Sequence, residues 1–197
     1  MGVTLKQHLF DTGSALVLHG NTSLADGDLR QLLDFDSEQR RNIKVVVLSH
    51  TNVTGESMKH LAALPNLQAL YLGGTRVADD APLEMLPKTV ELVNLDGTAT
   101  SDLSIAKLSR LPRLRSLSLR KTQITDGSVH QLVKVSTLRE VCLAETAVSE
   151  QARQRLENSL VLDVIRFAVA LRYIQFSVSI VLRSLSLRLR PDPGRYL

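Results

Sequence analysis

Residues 114–126 read Leu114-Arg115-Ser116-Leu117-Ser118-Leu119-Arg120-Lys121-Thr122-Gln123-Ile124-Thr125-Asp126. Leu117 and Leu119 alternate with Ser116, Ser118 and Arg120, the two-residue period of a strand that buries one face. Directly afterwards the period changes. Val129, Leu132 and Val135 stand three apart, as on a short helix with one apolar stripe.

The same phrase recurs along the chain. Thr51, Thr75, Thr98, Thr122 and Thr146 lie 24, 23, 24 and 24 residues apart. Three residues before each stands Leu48, Leu72, Leu95, Leu119 or Leu143, and two after it comes Val53, Val77, Thr100, Ile124 or Val148. The helical spacing also repeats, as Met58, Leu61, Leu64 after Thr51 and Ile105, Leu108, Leu111 after Thr98. Neither a half-buried strand nor a one-turn helix covers its apolar side alone. Units of this kind must stack into a solenoid, with strands on one side and helices on the other.

The units Leu67-x-x-Leu70-x-Leu72, Leu114-x-x-Leu117-x-Leu119 and Leu138-x-x-Val141-x-Leu143, with weaker copies from Ile43 and Val90, resemble the leucine-rich repeat family. They depart from its L-x-x-L-x-L-x-x-N/C-x-L consensus by placing Thr where Asn or Cys is usual. They look like the L-x-x-L-x-L-x-x-T-x-V/I-T/S-D subtype of bacterial and protist arrays, and residues 122–126 match it best. The resemblance implies an α/β leucine-rich repeat solenoid, with a curved parallel β-sheet on the concave side and short helices on the convex side. A Thr hydroxyl can bond the backbone at the turn after the strand. Asp79, Asp102, Asp126 and Glu150 fall where each helical side begins, suiting first-turn or capping positions.

The repeats are secure over residues 43–160. Leu16-x-Leu18-x-x-Asn21 reads as an earlier unit, lengthened by a polar insert at 34–42, and Leu162, Ile165 and Phe167 read as a later strand. The expected organisation is a solenoid of about six or seven units over 1–170. An arginine-rich cap or tail follows over 171–197, where Leu182-x-x-Leu185-x-Leu187 offers one further strand.

Composition narrows the function. Of 197 residues 36 are Leu and one is Cys, so no intrachain disulfide staples the chain. The formal charge of +4 comes wholly from residues 161–197, with six Arg and two Asp. Neither a signal peptide nor a membrane span is visible, and the expected location is intracellular, cytoplasmic. The five histidines lack metal-ligand spacing and no phosphate-cradling glycine motif occurs, so the expectation is no enzyme, no metal and no cofactor. Cys142 at a strand position reads as a small apolar filler.

Residues between the strand leucines point outward. Val45, Val47, Ala69, Tyr71 and Leu92 would adjoin one another, with Asn94, Asp96 and Arg120 beside them. Such a cluster reads either as a docking surface for a protein partner or as a surface covered by the N-terminal residues. The expected function is a non-catalytic protein-interaction module or scaffold. Alternatives are an adaptor or effector repeat protein, and a subunit of a ribonucleoprotein or other large assembly held by its basic segment. In the latter, Arg172, Arg183, Arg188 and Arg190 would meet RNA or another anionic partner, or else form a solvated cap. An uncovered last strand would also favour self-association.

Overall fold

The computed structural model describes residues 3–10 and 14–159, all within a unit spanning Met1–Ile165. The strands expected near 162–167 and 182–187, and the tail arginines, lie outside the described residues.

Among the described residues seven strands form one sheet in chain order: β1 (Leu9–Phe10), β2 (Ala15–Val17), β3 (Val45–Val47), β4 (Ala69–Tyr71), β5 (Leu92–Asn94), β6 (Ser116–Ser118) and β7 (Glu140–Cys142). From β2 onward every pairing is parallel and in register, so Leu16, Val46, Leu70, Val93, Leu117 and Val141 form one row. The first five are buried and Val141 is half-buried against the core. The leucines that follow each strand, from Leu18 to Leu143, make a second buried row. Each such side chain contributes about 1.5–3 kcal/mol on leaving water. Stacking is therefore what stabilises strands of only three residues.

The returning segments close the core from the other side. α2 (Met58–Leu61), α3 (Asp102–Leu108), α4 (Val129–Val133) and α5 (Glu150–Ser159) alternate with short 3-10 turns, and α1 (Ser37–Asn42) precedes them. Met58, Leu61 and Leu64, Ile105, Leu108 and Leu111, and Val129, Leu132 and Val135 are all buried, as their spacing predicts. The 23-residue repeat after Thr75 has no α-helix. Pro82 and Pro87 bracket a single 3-10 turn, Leu83–Met85, since proline donates no backbone N–H.

Two features add to the sequence reading. The 34–42 insert is helical over Ser37–Asn42: the Asp36 side chain caps α1, accepting from the Gln39 N–H at 2.8 Å, while the Gln39 side-chain Oε1 accepts from the Asp36 N–H at 3.1 Å. That reciprocal pair satisfies two orphan donors of a helix that buries no residue. Second, a 3-10 turn at Leu5–His8 leads into β1, which pairs antiparallel with β2 at the sheet edge. Leu5 enters the core beside it, and Gln31 holds the segment by accepting from the Leu5 N–H and donating to the Val3 carbonyl. The described N-terminal residues thus close the edge of the sheet.

Candidate interaction surface

Each repeat turns in the same way after its strand. The hydroxyls of Thr51, Thr75, Thr98, Thr122 and Thr146 donate to the carbonyls of Leu48, Leu72, Leu95, Leu119 and Leu143 at 2.5–2.7 Å. A threonine therefore satisfies a carbonyl that the strand has left without a ladder partner. The residue before it adopts positive φ in each of these units, at His50, Gly74, Gly97, Lys121 and Glu145, as does Gly20 before Asn21 in the preceding one. The fold is a leucine-rich repeat solenoid.

A second set of bonds joins one repeat to the next. Asp79, expected as a cap of its own helical side, instead accepts from the Ser101 N–H at 2.8 Å, from the Ser101 hydroxyl, and from the Ser104 hydroxyl at 2.6 Å. Asp26 does the same for Thr54 and Ser57, Asp102 for Thr125, and Asp126 for Ser149. The caps are the hydroxyls themselves. Thr54, Ser101 and Thr125 accept from the N–H two residues on. Asp102, Asp126 and Glu150 do occupy first-turn positions.

These bonds move the carboxylates. Burial raises Asp26 and Asp79, yet the hydroxyl and N–H donors outweigh it and hold both below the ordinary carboxylate range. Asp126 is held low by the backbone and hydroxyl of Ser149. The ladder has one gap. Gly55 stands where the others carry Asp, and it faces Ala81 in the next repeat, where Ala78 and Ala81 occupy the positions of the two hydroxyls. A Cβ on Gly55 would lie 2.6 Å from the Ala81 Cα, so close backbone approach replaces hydrogen bonding there.

The outward strand face carries two further rows in register. One runs Ala15, Val45, Ala69, Leu92, Ser116, Glu140; the other runs Val17, Val47, Tyr71, Asn94, Ser118, Cys142. Val45, Val47, Ala69, Tyr71 and Leu92 are half-buried and contiguous, and Ala15 and Val17 extend them toward the sheet edge. Beyond Leu92 the face becomes polar.

Asn94 departs from its expected exposure. It is 6% exposed, with its carbonyl oxygen 2.9 Å from where a Cβ on Gly73 would stand. Its amide donates to Asp96 at 3.0 Å and its oxygen accepts from the Asp96 N–H at 3.1 Å. Asp96 in turn accepts from the Ser118 hydroxyl at 2.6 Å and the Arg120 N–H at 2.9 Å. Arg120 reaches Glu145 through Nε at 2.6 Å and also through Nη2, and Lys121 lies 3.4 Å from the same carboxylate. The Arg120 hydrogen bonds hold Glu145 below the ordinary range, and Glu145 raises Arg120. Asn94 is thus a spacer that orients Asp96, while Asp96 and Arg120 form a braced polar rim.

Cys142 is a free thiol, half-buried on β7. Among the described residues no group of three or more His, Cys, Asp or Glu is placed to hold a metal, and no helix is long and apolar enough to cross a membrane. Arg172, Arg183, Arg188 and Arg190 lie outside the described residues.

No family model matches the sequence, and no curated protein matches it. Among solved structures the chain is similar to two internalins of Listeria monocytogenes. To inlF it is 15% identical, with TM-score 0.44, covering 66% of this chain and 45% of that one. To inlC2 it is 19% identical, with TM-score 0.44, covering 70% and 74%. A leucine-rich repeat protein of Leptospira interrogans shares 22% identity, with TM-score 0.45, over 66% of this chain and 34% of its own. The chain thus spans less than half the length of the first and third. The repeat architecture itself rests on the register and hydrogen bonds above.

Proposed function

We propose that the chain is a non-catalytic protein-interaction module of the L-x-x-L-x-L-x-x-T-x-V/I-T/S-D subtype, docking a protein partner through its strand face. The supporting observation is the division of that face. Val45, Val47, Ala69, Tyr71 and Leu92 form one contiguous apolar area over β3–β5, while Asp96 and Arg120 border it in a hydrogen-bonded rim. Apolar side chains held on rigid strands lose little entropy on docking, and a tyrosine adds a large amphipathic anchor. The rim contributes orientation and partner choice more than affinity. Among the described residues, the N-terminal segment pairs at the sheet edge, through β1 and β2.

The test is capture from host extract with the full chain, its Val47→Asp and Tyr71→Ala variants, and a Leu103→Ala control on the exposed helical side. Circular dichroism checks that each is folded. A protein retained by wild type and control, and lost from both strand-face variants, supports the reading. An unchanged set of bound proteins contradicts it.

A further inference from the structure

A parallel solenoid places every strand start on one flank and every strand end on the other, so the connections sort charge by position. The helix-to-strand connections before β5, β6 and β7 carry Lys88, Arg110, Arg113, Arg115, Lys134 and Arg139, all exposed. The carboxylates beside them are Glu91, 3.9 Å from Arg115, and Glu140, which follows Arg139 at the start of β7. The strand-to-helix connections on the opposite flank hold the aspartates of the inter-repeat ladder together with Asp80, Asp96 and Glu145, which outnumber Arg76, Arg120 and Lys121 there. A chain segment that is neutral in sum is therefore polarised across its width, with a basic flank and an acidic one.

We infer that the basic flank of the last three described repeats binds the sugar-phosphate backbone of a nucleic-acid duplex. The backbone bond from the Arg139 N–H to the Arg115 carbonyl at 2.7 Å stacks these two cations at the inter-strand spacing, about 4.8 Å, with Glu91 next in the row, its carbonyl accepting from the Arg115 N–H at 2.8 Å. The three connections carry one, three and two cations in turn, forming a strip about 10 Å long that meets several phosphates at once. Four of the six are arginines, whose planar fork suits phosphate oxygens, and among the described residues Arg110 and Arg113 carry no ion pair. No aromatic side chain stands in these connections, so the flank offers no stacking platform for unpaired bases. That combination fits sequence-independent contact with a paired backbone. This surface is separate from the apolar strand face and from the C-terminal arginines.

The experiment is fluorescence anisotropy of a labelled 20-base-pair duplex, as DNA and as RNA, titrated with the full chain from 50 to 200 mM KCl. Engaging about four phosphates predicts a log–log salt slope near −3.6, or roughly a 150-fold loss of affinity across that range. Replacing Arg110, Arg113 and Arg139 together by Gln should weaken binding at least tenfold and flatten the slope, whereas the Arg→Lys triple should retain most of it. Preference for RNA or for DNA identifies which duplex is the partner. The inference is overturned if the Gln triple binds as wild type, or if changing Arg172, Arg183, Arg188 and Arg190 to Gln alone abolishes binding. It is equally overturned if phosphatidylserine vesicles or polyglutamate compete as well as duplex at equal charge. Val47→Asp should leave duplex binding unchanged, which separates this outcome from that of the strand-face reading.

Discussion

Asp79→Ala should weaken the solenoid far more than its half-exposed position implies. The carboxylate receives three bonds from the next repeat, two from Ser101 and one from Ser104, whose side chain is wholly buried. Hydrogen bonds to a charged acceptor are worth about 1.5–3 kcal/mol each, and a buried donor left alone costs about 1–3 kcal/mol. Two effects reduce the total. Water reaches Ser101, and Ser104 can turn back to its own repeat, as the Ser128 hydroxyl does toward the Thr125 carbonyl at 3.0 Å. The expected loss is about 2–3 kcal/mol, a fall in Tm of roughly 5–10 °C for a chain of this length. Urea and thermal unfolding followed by circular dichroism measure it, in a cycle with Ser104→Ala. The double variant should be more stable than the sum of the singles predicts, by about 1 kcal/mol. Additivity within about 0.5 kcal/mol would refute the proposed coupling between repeats.

Gly55→Ala should cost about 1–3 kcal/mol, because the added methyl meets Ala81 backbone that cannot turn aside, and a urea midpoint as high as wild type would contradict this contact. Thr98→Val should cost about 1–2 kcal/mol, since it removes a buried donor to the Leu95 carbonyl and a 3.0 Å partner of Thr100; thermal unfolding checks it. Acid should also loosen the ladder. Asp26, Asp79 and Asp126 are held below their ordinary value, so their contribution is complete above about pH 4 and is lost as pH falls through the depressed folded values. His19, lowered by burial and by His50, adds a shallower loss that starts below about pH 6.5. A Tm series from pH 7 to pH 2.5 should therefore decline gently at first and steeply at the end, and Asp79→Asn should blunt the steep part.

The stacking was legible because it is written in a constant period. A 24-residue phase fixes which leucines share a row, and the in-register strands follow from that phase. The inter-repeat ladder was equally present as residues, yet it shows only when neighbouring repeats are compared. Asp79 occurs with Ser101 and Ser104, while Gly55 occurs with Ala78 and Ala81. Reading each unit by itself turns the same aspartate into an ordinary helix-start residue. Asn94 was misplaced for a similar reason: outward strand positions are usually wet, but Gly73 in the preceding repeat leaves room for its amide. The edge strand β1 has only two residues, too few to show any period, and its pairing is a tertiary matter. Positive φ is announced at Gly74 and Gly97 and unannounced at Lys121 and Glu145, where the repeat geometry imposes it on residues that pay a conformational cost.

The most direct test of strand-face docking is site-specific photo-crosslinking in the native host, with benzoylphenylalanine placed in turn at Val47, Leu92 and Glu140 of the full chain. The account predicts one shared protein adduct from positions 47 and 92, in the apolar half, and a weaker or absent one from position 140. An adduct of equal strength from all three positions, or none from 47 and 92, would contradict it.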